Sequence, residues 1–292
     1  MKTSTAILSA ILAAALYALN APASKLLLQH VSPSMMAALL YLGAGLGMLA
    51  MGLIRRAAGK PSAEQKLTRK DLPYTIGMIV LDILAPIFLM IGISRTTAEN
   101  ASLLNNFEIV ATSLIALFIF KEKMSRRLWM AIGLIVLSSA LLTVEDAASL
   151  QFSVGSVFVL LACCCWGMEN NCTRMLSQSD PQEIVIVKGV GSGTGAQIVA
   201  LLTGEHFPTW GYVPAALLLG FVAYGLSIYF YVYAQRYLGA ARTSAYYAVA
   251  PFIGVLLSLV IFREWPGWLF FAALAVMIAA TVLVTKDQAE TE

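Results

Sequence analysis

Apolar residues run through this chain in long blocks, separated by short clusters of charge. A helix needs roughly 20 mostly apolar residues to cross the hydrocarbon of a bilayer. Blocks of that length predict ten helices, near 5–28, 34–54, 72–94, 99–120, 127–144, 154–176, 182–203, 212–235, 241–262 and 267–285. Except for 55–71 the connections are short, so neighbouring helices form antiparallel hairpins. Composition reinforces the pattern: 59% of residues are hydrophobic and 12% charged, against about 25% charged in a soluble domain. The expected class is an all-α integral membrane protein.

Charge placement orients it. Ten spans put both termini on one side. With that side cytoplasmic, the inner segments hold Lys2, Arg55, Arg56, Lys60, Lys66, Arg69, Lys70, Lys121, Lys123, Arg126, Arg127, Arg174, Arg236, Arg242 and Lys286. The outer segments hold only Arg95 and Arg263, and Lys25 and Lys188 fall inside spans. The positive-inside rule therefore places both termini in the cytoplasm. A net charge of +3 gives no argument for nucleic acid. Lys2, the apolar run after it and Ala21-Pro22-Ala23 look somewhat like a signal peptide. The segment has a counterpart in mid-chain, which a discarded leader would not need.

That counterpart belongs to an internal repeat. Ile119-Phe120-Lys121-Glu122 is echoed by Ile261-Phe262-Arg263-Glu264, and Ala98 to Ser102 (AENAS) by Ala240 to Ser244 (AARTS) in the same register. Tyr17, Asn20 and Lys25 of the first span match Trp166, Glu169 and Arg174 of the sixth; Pro33 and Pro181 follow. Each half has five spans, an odd number, so the second copy must be inverted. The expected organisation is 1–146 and 147–285 as inverted five-helix repeats, with 286–292 a cytoplasmic tail. Inverted repeats place a shared site near the midplane and let the halves rock around it.

On these residues the chain resembles the drug/metabolite transporter superfamily, specifically its EamA-type members. Phe107-Glu108-Ile109-Val110 looks like the family's Leu-Glu-Pro-Val stretch, with Ile109 where Pro is common. The second copy keeps Pro251 but has Ala250 in place of the Glu. The resemblance implies a ten-helix transporter, usually an exporter of amino acids, amines or toxic metabolites.

Ionisable groups inside a bilayer are costly, and their default reading is functional. Ser102, Asn105, Glu108 and Thr112 recur at helical spacing and make a polar stripe on the fourth span, with Glu108 the candidate for proton coupling. Asp82 lies near the middle of the third span, followed by Pro86, which is expected to bend that helix; it either lines the cavity or neutralises a lysine. Tyr17, Asn20 and Ser24 share a face of the first span, as Trp166, Glu169 and Thr173 do of the sixth. An aromatic residue one turn from a polar one suits a substrate with an apolar body and a polar handle, with helix packing the alternative reading of both aromatics. Asn170 adds an amide beside Glu169, and Tyr247 of the ninth span joins the lining set. Lys25 either snorkels outward or meets a carboxylate or substrate anion; Lys188, nearer the cytoplasmic end, is expected to snorkel.

Several chemistries drop out. Cys163, Cys164, Cys165 and Cys172 share one apolar helix, where neither a metal cage nor a disulfide forms, so they read as packing residues and no metal is expected. The glycine run 189–195 lacks the strand and Lys of a nucleotide loop; Gly191 and Gly195, like Gly43 and Gly47, read as small-residue packing faces. No cofactor is implied. The two histidines, His30 and His206, fall in connections, which leaves no serine-protease base within a span. A carboxylate enzyme using Asp82 with Glu108 is the rival of another class, and a receptor or structural role a third. The expected function is a secondary transporter, an exporter of a small polar or cationic organic metabolite, in the bacterial cytoplasmic membrane. Uptake or facilitated diffusion is the alternative. Monomer and homodimer both stay open.

Overall fold

The computed structural model describes residues 2–59, 64–120, 125–146, 151–247, 249–263 and 265–290. Helices α1 (Lys2–Ala18) and α2 (Asn20–Leu27) occupy the first expected span, and α3 (Pro33–Ala57) and α4 (Leu72–Arg95) the next two. The fourth is split into α5 (Ala98–Leu104) and α6 (Phe107–Phe120). Then come α7 (Arg126–Thr143), α8 (Val154–Leu176), α9 (Pro181–Leu202) and α10 (Val213–Leu219). A wide π turn, Gly220–Leu226, leads into α11 (Ser227–Tyr247), followed by α12 (Ala250–Phe262) and α13 (Trp268–Glu290). Val144–Asp146 pairs antiparallel with Gln151–Phe152 between α7 and α8, a small addition to the expected all-helical chain.

The ends follow local chemistry. Pro33 and Pro181 each open a helix, where the missing N–H is not needed. Asp180 caps α9, its Oδ1 accepting from the Gln182 N–H at 2.8 Å. The N-terminus of α3 is capped from far away: the Glu205 carboxylate accepts from the Ser34 and Met35 N–H groups at 3.2 and 2.9 Å. Arg263 ends α12 in a left-handed conformation, φ 55°. Lys121-Glu122 and Glu264, the rest of the matched helix ends, lie outside the described residues.

A turn near 236–240 was expected, yet helical bonding continues over Ser227–Tyr247. This segment is not a straight rod. The rings of Tyr231 and Tyr247 have centroids 4.9 Å apart, whereas a straight helix would separate them by about 24 Å at 1.5 Å per residue. The chain therefore reverses between them, as two antiparallel spans require.

Polarity is inside-out. Leu202, Phe118 and Ile54 are 82%, 74% and 69% exposed, while Asp82, Asn20, Glu169 and Lys188 are buried. Exposed Trp129, Trp210, Trp265 and Trp268 sit at or beside helix ends, the positions of an interfacial aromatic belt. Six helical segments among the described residues are long and apolar enough to cross a membrane, and three shorter apolar helices accompany them.

The most extensive packing pairs are α4 with α8, α3 with α9, α1 with α11, and α7 with α13, followed by α3 with the π turn, α6 with α8, and α5 with α12. Glycine makes the α3–α9 contact possible. A Cβ on Gly189 would lie 2.3 Å from the Gly45 nitrogen, and one on Gly193 2.6 Å from the Leu42 nitrogen. Gly191 and Gly195 instead admit Ile79 and Ile83 of α4. The glycine run is thus a packing surface on two sides.

Candidate functional site

Four helices are interrupted where polar residues converge. The first breaks at Leu19, so Asn20 begins α2. The fourth breaks at Asn105-Asn106, where the Glu108 and Ile109 N–H groups bond back only three residues, to Asn105 and Asn106 carbonyls. That puts Glu108 in the first turn of α6, where the helix dipole favours negative charge. The eighth carries the π turn with Tyr224. In the ninth Val249 lies in a turn just before α12, close to the position in the second repeat that matches Asn105-Asn106 in the first. Only lining a cavity or being buried in protein makes such backbone tolerable at membrane depth.

At the centre Lys188 bridges two carboxylates. Its Nζ is 3.1 Å from Asp82 Oδ2 and 3.0 Å from Glu169 Oε1, with side-chain exposures of 6%, 0% and 3% respectively. The expected snorkelling of Lys188 is therefore corrected: the ammonium turns inward because two buried acids hold it. Tyr41 Oη donates to Asp82 Oδ1 at 2.8 Å, and the Thr173 hydroxyl donates to Glu169 Oε1. Asp82 has a second peculiarity. Pro86 stands four residues on within an unbroken α4, so no helical N–H is available to the Asp82 carbonyl.

The repeat is written into these contacts. Ser24 Oγ donates to Asn20 Oδ1 at 3.0 Å, as Thr173 does to Glu169 at the matching positions. Asn20 Nδ2 then donates to Tyr224 Oη at 3.1 Å. The offset separating Ala98 from Ala240 also separates Asp82 from Tyr224. A neutral pair, Asn20 and Tyr224, therefore corresponds to a charged pair, Glu169 and Asp82. Tyr41 joins the two, its ring 5.1 Å from that of Tyr224.

Beside Asn20 lies a narrow crevice, about 220 Å³ only when open solvent is included, lined by Tyr17, Asn20, Ser102, Asn105, Pro251 and Gly254 among others. Ser102 Oγ and Asn105 Oδ1 are buried without a hydrogen-bond partner among the described residues, and such groups call for a ligand or water. The Tyr17 ring meets that of Tyr224 edge-on at 5.8 Å and that of Tyr247 at a tilt at 5.9 Å. Thus Tyr17, Asn20, Asn105 and Tyr247 come together, as do Asp82 and Glu169. Glu108 forms a third group with Asn170, whose Nδ2 donates to Glu108 Oε1. Trp166 lies in the apolar core. Lys25 stands apart: its ammonium donates to the Ile93 and Thr96 carbonyls at 2.6 and 2.5 Å, at the C-terminal end of α4, where cations are favoured.

Sequence reading missed Tyr41, Tyr224 and the inward course of Lys188. The signal available for Tyr224 was the repeat offset from Asp82. A second space, about 940 Å³ including open solvent, is bordered by Arg55, Arg56, Lys66, Glu64, Gln182 and Glu183 among others.

An apolar exterior enclosing buried charges, helix breaks and a polar crevice is the build of a membrane transporter. The EamA-like transporter family model matches residues 4–144 and again 153–286, and the chain belongs to that family. It is 26% identical over 274 residues to an uncharacterized transporter of Methanothermobacter thermautotrophicus, covering 88% of this chain and 79% of that protein. A crystal structure superposes with a TM-score of 0.68 at 19% identity, over 98% of this chain and 97% of the other; this likeness concerns the fold. Family and relative alike are transporters, and the chain is a multi-pass membrane protein.

Proposed function

We propose that this protein is a secondary transporter that exports a small polar or cationic organic metabolite across the cytoplasmic membrane by alternating access. The observation that carries this is the crevice at the helix breaks, with unpartnered Ser102 and Asn105 atoms beside a buried network richer in carboxylates than in ammonium groups. In this reading ten spans form two inverted five-helix halves, 1–146 and 147–285, with both termini cytoplasmic. The packing pairs support it: α3 and α9, and α7 and α13, each join a helix to its repeat counterpart, α5 and α12 join parts of the matching fourth and ninth spans, and α4–α8 is the equivalent of α1–α11. A two-fold relation between halves yields such a set. Tyr17 and Tyr247 form the apolar wall of the site; Asn20, Asn105 and the acids take the polar handle.

Glu108 is the proton-exchanging residue in this mechanism. It stands half-buried at a helix start, held by Asn170, and an ionisable side chain at membrane depth is by default functional. A stabilisation screen of purified protein against amino acids, amines and drugs supplies the substrate. Flux of that substrate is then measured in liposomes with and without a pH gradient. Wild type should respond to the gradient, and Glu108→Gln should lose the response. Gradient-independent flux, equal in both proteins, removes Glu108 from the coupling role.

A further inference from the structure

Two carboxylates, Asp82 and Glu169, face one ammonium, Lys188, and all three are buried. With all three ionised one negative charge is left over, and an uncompensated charge at membrane depth is costly. The repeat sharpens the point. The corresponding pair in the other half, Asn20 and Tyr224, is neutral and hydrogen-bonded directly, with no lysine between. The lysine is therefore present only where the acids are. Its ammonium occupies the place between two carboxylates that a free alkylammonium would take, with the same donors and charge.

We propose that Lys188 is a tethered stand-in for a cationic substrate: it fills the Asp82–Glu169 subsite in the empty transporter, and a primary ammonium group displaces it. This rests on the transporter reading and names the substrate class as a primary amine. The site has a resting occupant, so the acids are never left facing each other unpaired. Amine binding then costs the partial loss of the lysine contacts, which keeps the affinity of wild type low.

The test uses the purified full-length chain in detergent with n-butylammonium, the four-carbon chain and ammonium of a lysine side chain, as probe. Binding is read by calorimetry and by shift of the unfolding midpoint. Lys188→Met should bind n-butylammonium at least about tenfold tighter than wild type, about 1.4 kcal/mol. Adding Asp82→Asn should abolish the gain, and tetramethylammonium, which has no N–H donor, should show none. Equal n-butylammonium affinity in wild type and Lys188→Met, or a gain that survives Asp82→Asn, overturns the proposal. If Lys188→Met does not fold, Asp82→Asn alone decides it: the remaining Glu169 is satisfied by Lys188, so amine binding should fall about tenfold, and unchanged binding overturns the proposal. The transporter reading is judged separately, by liposome flux. Flux that persists without this affinity pattern removes only the amine subsite.

Discussion

At the residue scale the network around Lys188 is held by mutual need. Removing one member of a buried ionic group leaves the others uncompensated, at a cost of about 3–5 kcal/mol. Lys188→Met leaves two carboxylates side by side, whereas Asp82→Asn leaves a balanced pair and keeps an acceptor for Tyr41. We expect Lys188→Met to lower stability by about 3 kcal/mol and Asp82→Asn by clearly less, compared by unfolding in one detergent. The reverse order would mean that the lysine is not the keystone. The sequence showed these acids as costly and worth attention. It could not show their partner, because Lys188 lies on another helix and its distance from the span end fits snorkelling as well as pairing. Lys25 is the opposite case. It sits five residues from Asn20 on the same helix, and its ammonium reaches the carbonyls ending α4.

At the element scale the informative features are the helix interruptions. They were not legible, because Leu19 and Asn105-Asn106 lie within stretches whose average hydropathy still reads as one span; backbone hydrogen bonding distinguishes them, and composition does not. Close approach was legible. Small residues four apart announced packing faces at Gly43, Gly47, Gly191 and Gly195, although the α3–α9 backbone contact itself uses Gly45 and Gly189, which belong to neither pair. Gly189→Leu forces a side chain into the Gly45 backbone. Overpacking of this kind costs about 1–3 kcal/mol or more, while Gly133→Leu, with nothing within 4 Å of an added Cβ, should cost little. Unfolding midpoints of the two variants check this, and equal midpoints would count against the contact.

At the scale of the whole molecule, apolar length predicts ten spans and the placement of basic residues predicts their orientation; the described residues hold six segments long enough to cross a membrane and three shorter apolar helices. Lys188, Glu169 and Asp82 lie seven to ten residues from the helix ends expected at the cytoplasm, about 10–15 Å at 1.5 Å per residue, so three separate helices bring them to a similar depth. A membrane-impermeant maleimide should label H206C in intact cells, and R69C only after permeabilisation. Labelling of R69C from outside would reverse the topology. The offset shared by Asp82 and Tyr224 was open to view in the sequence, but similarity searches by residue type pass over an acid aligned with a phenol.

The contact between α3 and α9 has a mechanical consequence. Helices with large side chains mesh as ridges in grooves, and meshing selects particular crossing angles. Where Gly45 meets Gly189, backbone lies on backbone and there are few teeth to engage. A joint of that kind behaves as a plain bearing. If the two halves turn about it, the angle between them can change without side chains unlocking. The resistance to motion then sits beside that contact, in the Gln182 amide donating to the Met48 carbonyl, the Glu205 cap on α3 and the Arg236–Glu64 ion pair, which act as latches on the joint.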